Sequence, residues 1–190
     1  MTKIIYNMSV SLDGFVRASG NTAEMPLGVG GERLHEWFSD DNPTNQEFVA
    51  KMLDSIGAVV TGRSTYNESD WGSNGPTGAL RLPVFVVTHE APASSPANGV
   101  YTFVTGGVVE AVNAARKAAG GKNVSLMGGP GVGNQAIVAC VIDEIVVSIV
   151  PVLFGDGLRM FSSLPQHVQL ERSSMIDTGK ATHIVYRVVK

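Results

Sequence analysis

The chain has 190 residues, of which 44% are hydrophobic and 16% charged, with a formal net charge of -3 and a pI near 5.8. That is enough apolar material for one substantial core and too much for a disordered chain, while the acidic balance and the lack of a Lys/Arg cluster argue against a nucleic-acid partner. The apolar runs break too early to span a bilayer, and Cys140, the only cysteine, permits no intrachain disulfide.

The chain enters a strand at once, Ile4 to Met8, with no charged leader or cleavage signal before it, so a cytoplasmic location is expected. Met8-Ser9-Val10-Ser11-Leu12-Asp13-Gly14 follows; Asp13-Gly14 reads as a turn, with a proton relay by Asp13 as the alternative. Trp37, like Trp71 later, reads as a packing residue or a platform for a ligand ring. A helix is expected over Pro43 to Ile56: Asn42 caps it, Pro43 suits its first position, Phe48, Val49, Met52, Leu53 and Ile56 share a face, and Gly57 stops it.

Strand Ala58 to Thr61 then runs into Gly62-Arg63-Ser64-Thr65-Tyr66, a strand, turn and helix start. Such a turn aims backbone N–H groups and the positive end of a helix dipole at one place, which suits a phosphate. Arg63 can grip a phosphate bidentately while Ser64 and Thr65 add hydroxyls; the bland alternative is a solvated Arg63 and a capping Ser64. Strand Val84 to Thr88 ends at His89, and a surface loop, Ala91 to Gly99, precedes strand Val100 to Val104. An Ala-rich helix, Val108 to Ala119, stops at Gly120-Gly121. Strand Val124 to Met127 leads into the second glycine turn, Gly128-Gly129-Pro130-Gly131-Val132-Gly133-Asn134-Gln135, and a helix running toward Cys140, whose apolar neighbours predict a buried thiol.

Ile145 to Val152 and Thr182 to Val189 read as an antiparallel pair of strands joined by a loop, Phe154 to Met175. Asp156 between two glycines predicts a tight turn. Together these elements predict an α/β layered fold with a mostly parallel sheet and antiparallel C-terminal strands, forming a single domain over residues 1–190.

The second turn has the glycine spacing of a nucleotide-triphosphate loop, but Asn134 and Gln135 stand where Lys and Ser/Thr are required. It matches a Rossmann fingerprint only in part, its last glycine being one position early. Two phosphate turns about sixty residues apart suit an extended, two-ended ligand such as a dinucleotide, although glycines that merely make a tight turn remain the alternative. His167 and His183 belong to no visible ligand pattern, and no metal is expected. No Gly-x-Ser-x-Gly elbow supports hydrolysis.

The order of these motifs resembles the family that joins dihydrofolate reductase with the reductase domain of bifunctional riboflavin-biosynthesis proteins, in a stand-alone form. The residues that carry it are Met8 to Gly14, Thr61 to Tyr66, Val86-Val87-Thr88, Met127-Gly128-Gly129-Pro130, Asp143-Glu144-Ile145 and Pro151 to Gly157, so it covers nearly the whole chain. The resemblance implies a three-layer dihydrofolate-reductase-like fold and hydride transfer from NADPH to a small heteroaromatic molecule: a pterin, a pyrimidine resembling 5-amino-6-(5-phosphoribosylamino)uracil, or a relative. It also implies that Gly62, Arg63, Ser64 and Thr65 hold cofactor phosphates, that Thr88 and His89 flank the adenosine 2′-phosphate, and that Gly128, Gly129, Pro130, Gly131, Val132 and Gly133 carry the pyrophosphate. Ser9 and Val16 would approach the nicotinamide, with Asp13 and Leu34 toward substrate.

Leu34 stands where the folate enzymes carry an acid that supports substrate protonation, and Met127 where riboflavin-pathway reductases commonly carry one that touches substrate. No catalytic residue is therefore assigned. A catalytically silent nucleotide-binding module, serving as sensor or scaffold, is the alternative function. A homodimer is expected, partly from the resemblance and partly because Ile145 to Val152 and Leu158 to Phe161 need cover beyond one short helix.

Overall fold

The structure is a computed structural model that describes residues 1–161 and 164–190. Within the expected loop from Phe154 to Met175, Ser162 and Ser163 lie outside the described residues.

Eight strands form one sheet: β1 (Ile4–Ser11), β3 (Ile56–Gly62), β4 (Val84–Val87), β5 (Tyr101–Val104), β6 (Asn123–Leu126), β7 (Glu144–Val150), β9 (Leu170–Asp177) and β10 (Thr182–Val188), in the order β5-β4-β3-β6-β1-β7-β10-β9. The neighbours from β5 to β7 pair in parallel, β10 pairs antiparallel with β7, and β9 antiparallel with β10. This is the mostly parallel α/β sheet with antiparallel C-terminal strands expected from the sequence. A separate two-stranded ribbon joins β2 (Phe15–Ala18) to β8 (Gly157–Arg159).

Helices cover both faces. Alternate strand residues point to opposite sides of the sheet, so Tyr6 and Asn7 sort the two layers. On the side of Tyr6, α3 (Val108–Ala118) and α4 (Pro130–Val138) pack Val108, Ala111, Val112, Val132 and Ala136 against Ala58, Val60 and Leu126. On the side of Asn7 lie α1 (Pro43–Ser55), whose Met52 sulfur accepts the Asn7 amide at 3.1 Å, and α2 (Arg63–Glu68), whose Tyr66 packs on Val59, Val84 and Val86. The chain steps outward from β3 to β5 and then returns to place β6 between β3 and β1. That reversal opens a crevice at the carboxyl ends of the strands, where ligands of open α/β sheets bind.

Several expectations require correction. Helix α1 ends at Ser55, and Gly57 does not stop it: Gly57 is a strand residue whose Cβ would lie 2.0 Å from the Ala119 carbonyl oxygen, so it permits close passage of two backbones. Phe48, Val49, Met52 and Leu53 are only half-buried, and Asn45 is the one fully buried residue of α1. The stretch from Phe154 to Met175 contains β8 and most of β9. The thiol of Cys140 is exposed, because Cys140 adopts φ 55° in the turn that ends α4 and faces away from the core. Ile145, Val146, Val147 and Val150 are buried by the chain itself, so that segment needs no partner.

Behind β1, β7 and β10 runs a neutral polar row. Ser9, Ser148 and His183 are register partners across the three strands. His183 Nδ1 meets Ser148 Oγ at 2.8 Å, its Nε2 meets Thr178 Oγ1 at 3.2 Å, and Phe48 stacks on its ring at 4.0 Å. Burial holds this imidazole down to about 4 against an ordinary 6.5, despite an opposing pull from Asp177. The unfolded chain therefore takes up the proton first: the stabilisation is complete above pH 6.5, falls as pH drops through that value, and stops falling below about 4. The loss across that window is expected to be about 1–3 kcal/mol after solvent screening, and urea unfolding at pH 7 and pH 4.5 checks it, with His183→Gln flattening the difference.

Candidate functional site

Three helices begin around one cleft of about 1030 Å³ at the carboxyl edge of β3, β4 and β5. Gly62, Arg63, Ser64 and Thr65 enter it from the start of α2; Gly106 and Gly107 from the start of α3; Gly129, Gly131 and Val132 from the start of α4. Val87, Thr88 and His89, followed by Glu90 to Ala93, form the opposite wall.

The helix starts differ in how their free N–H groups are satisfied. Away from the cleft, α1 is capped by Asn42, whose side-chain oxygen accepts from Thr44 N at 2.9 Å and Asn45 N at 3.4 Å. Helix α3 has no side-chain cap but carries Glu110 in its first turn, folded so close to Gly106 that a Cβ there would overlap the carboxylate. The chain thus supplies its own anion to α3. Helices α2 and α4 have neither a capping side chain nor an acid in the first turn. Their N-termini present uncompensated positive ends to the cleft, an arrangement that favours an anion. The alternative in which Ser64 caps a helix does not apply, since the N-cap is Gly62 and no side chain caps it.

The two glycine turns touch. Gly129 N–H donates to Thr65 Oγ1 at 3.2 Å, and a Cβ on Gly128 would stand 2.5 Å from Thr65 Oγ1 and 2.7 Å from Thr61 Oγ1, at a φ of +86°. Gly62 is pinned against Val132, and Gly133 against the ring of Tyr6, whose buried hydroxyl is pushed up by desolvation. Gly128, Gly62 and Gly133 are therefore explained by packing alone. Gly131 has no atom within 4 Å of its Cβ position and is open to the cleft.

Arg63 lines the cleft. Its Nε donates to Asn67 Oδ1 at 2.9 Å, and one terminal nitrogen donates to Thr88 Oγ1 at 3.3 Å and to the Glu90 carbonyl at 2.8 Å. Thr88 in turn donates to that carbonyl at 2.7 Å, which ties the loop after β4 to α2.

The other expected site residues lie elsewhere. Pro130 is buried at the first position of α4 and does not line the cleft, nor do Gly128 and Gly133. Ser9 Oγ accepts the Trp37 indole N–H at 3.0 Å, and Val16 sits in the main hydrophobic core. Leu34 is wholly buried among Trp37, Val150 and Ala181. Asp13 accepts from Ser11 Oγ at 2.6 Å and from the N–H groups of Gly155 and Phe154, and these bonds, led by Ser11, hold its carboxyl below the usual range. It brackets the β1–β2 turn to the loop after β7. Sequence reasoning missed Asn67, Glu90 and the start of α3 at Gly106 and Gly107; only the i, i+4 spacing of Arg63 and Asn67 on a short helix could have flagged the first. Among the described residues no group of three or more His, Cys, Asp or Glu is placed to hold a metal, and no helix is long and apolar enough to cross a membrane.

The sequence profile of the RibD C-terminal domain matches residues 2–184. A Bacillus subtilis protein, the uncharacterised YwjB, is 23% identical over 97% of both chains. A putative riboflavin biosynthesis protein from Shewanella shares the fold at a TM-score of 0.71 and 22% identity over the full length of both chains. Dihydrofolate reductase from Enterococcus faecalis, complexed with NADP(H), shares it at 0.59 and 17% identity over 100% of this chain and 97% of the other.

The glycines separate in a stability test. Gly128→Ala is expected to cost about 1–3 kcal/mol through its left-handed backbone and the two threonines, while Gly131→Ala, at an open helical position, is expected to be neutral or to stabilise by up to about 1 kcal/mol. Thermal unfolding of both variants checks this, and equal losses would contradict the steric account.

Proposed function

Since the chain belongs to the RibD C-terminal domain family, we propose that it is an NADPH-dependent reductase of a small heteroaromatic compound such as a pterin or pyrimidine. One observation carries the reading: α2 and α4 start uncapped, without a first-turn acid, at the same cleft that holds the Arg63 guanidinium. That donor set suits an extended ligand with more than one phosphate. The α4 start at Gly131 and Val132 would take the pyrophosphate, where backbone can approach closely because Gly131 has no side chain. Arg63, with Ser64, Thr65 and His89 about it, would take the 2′-phosphate. NADPH, when bound, supplies a hydride; the chain's contribution is to orient the two rings and exclude water.

Thr88 serves this site through Arg63, because its hydroxyl is already engaged by Arg63 and Glu90. Ser9, whose hydroxyl is engaged by Trp37, and Val16, which lies in the core, would support the nicotinamide end only through the backbone of β1 and β2. Neither Leu34 nor Met127 supplies a carboxylate, and Asp13 is held ionised by three hydrogen bonds, so no residue of the chain is assigned as proton donor. Those features favour the second reading, a nucleotide-binding module without turnover. NADPH oxidation by the purified protein across a panel of pterins and pyrimidines separates the two: a binding module gives none.

A homodimer and a cytoplasmic location belong to the same reading. The edge strand β9 is exposed along its length, with Leu170, Met175 and Ile176 uncovered, and exposed edges of this kind are usually paired or blocked. Sedimentation showing only monomer at micromolar concentration would remove the dimer. The exposed Cys140 thiol suits a reducing compartment.

The cofactor test is calorimetric titration with NADPH and NADH at matched salt. NADPH is expected to bind more tightly, and Arg63→Ala to weaken it by about 1.5–3 kcal/mol while leaving NADH nearly unchanged. Equal affinity for both dinucleotides would overturn the assignment of Arg63, and binding of neither would overturn the reductase.

A further inference from the structure

Arg63 is one of the more flexible side-chain types, yet here three acceptors fix it. A guanidinium has five N–H donors in a rigid plane. The Nε donor goes to Asn67, and the two donors of one terminal nitrogen go to Thr88 Oγ1 and the Glu90 carbonyl. The second terminal nitrogen has no partner among the described residues, and Arg63 lines the cleft. Asn67 itself does not line the cleft and is exposed, four residues on from Arg63 along α2. Without its carbonyl oxygen, only the two acceptors at the far terminal nitrogen would remain. The guanidinium plane could then pivot about that end, and Nε would turn back to water.

We propose that Asn67 is a specificity-determining positioning residue: by accepting from Arg63 Nε, it fixes the plane in which the two free donors of Arg63 meet a phosphate on the adenosine ribose, and so sets the preference for a 2′-phosphorylated dinucleotide. The inference rests on the cofactor reading given above. Asn67 touches no ligand and acts only through Arg63. Its effect is therefore confined to the ligand that Arg63 contacts, because pre-ordering a long cationic side chain removes a cost that otherwise falls on binding.

The test is a double-mutant cycle with Asn67→Ala, Arg63→Ala and the pair, titrated calorimetrically with NADPH and NADH. A parallel measurement follows the Arg63 Nε–H resonance by NMR in the free protein. Asn67→Ala is expected to weaken NADPH about 5–20-fold and NADH less than about 2-fold, to shift the Nε–H resonance toward that of a solvated arginine, and to have no further effect once Arg63 is alanine. A merely structural Asn67 would weaken both dinucleotides alike and add to Arg63→Ala; that result, or unchanged NADPH affinity, overturns the inference while Arg63→Ala remains selective. If Arg63→Ala itself leaves the NADPH to NADH ratio intact, the cofactor reading fails and the positioning role falls with it.

Discussion

The docking of one glycine turn on the other is the constraint from which the cleft follows. Thr65, in the first turn of α2, accepts the backbone N–H of Gly129, and Gly128 leaves no room for a Cβ between Thr61 and Thr65. Gly62 meets Val132 in the same way. These contacts bring the start of α2, which follows β3, against the start of α4, which follows β6, across two adjacent parallel strands. Both helices then point their positive ends into one space. Larger residues at these positions would separate the two helix starts and dissolve the anion-favouring geometry along with the turn.

Much of this was legible in the sequence because it rests on short-range signals. Apolar runs rich in Val and Ile marked the parallel strands, Asn42-Pro43 marked the start of α1, and the two glycine turns marked the cleft. Illegible parts depend on partners remote in the chain. Strand β9 reads as polar loop because every residue in it is exposed; it is a strand only through its ladder to β10. Gly57 reads as a helix stop, but its reason is the Ala119 backbone sixty-two positions away. The resemblance brings Ser9 toward the nicotinamide, but its hydroxyl is engaged by the Trp37 indole N–H. Cys140 has apolar neighbours in sequence, but a left-handed turn directs it outward.

Glycine content alone overstates the case for a phosphate site. Of the glycines in the second turn, Gly128 and Gly133 are demanded by Thr65 and Tyr6, as they would be in a protein that bound nothing. The informative glycine is Gly131, which lies in open space at the cleft, and the informative absence is that of an acid in the first turns of α2 and α4. Helix α3 supplies the internal comparison. It starts at the same cleft and also lacks a side-chain cap, yet Glu110 folds back over its approach. Two of the three converging helix starts are thus left for an external anion, and the chain neutralises the third itself.

The half of the sheet formed by β1, β7 and β10 follows a different electrostatic rule. Across β1, β7 and β10 one row of buried polar groups is neutral and paired: Ser9 with Trp37, Ser148 with His183, Thr178 with His183. Leu34 fills its place with hydrocarbon, and the only nearby carboxylate of the β1–β2 turn, Asp13, spends its lone pairs on Ser11, Phe154 and Gly155. A buried acid near this row would need a partner that none of these groups can provide without breaking an existing bond, and would carry a desolvation cost of about 1–3 kcal/mol or more. Replacing Leu34 by Asp is therefore not a simple restoration of a proton donor. The packing of Trp37, Val150 and Ala181 around that position commits this half of the protein to a neutral interior, in which a new carboxylate would have to be accommodated without a cationic partner.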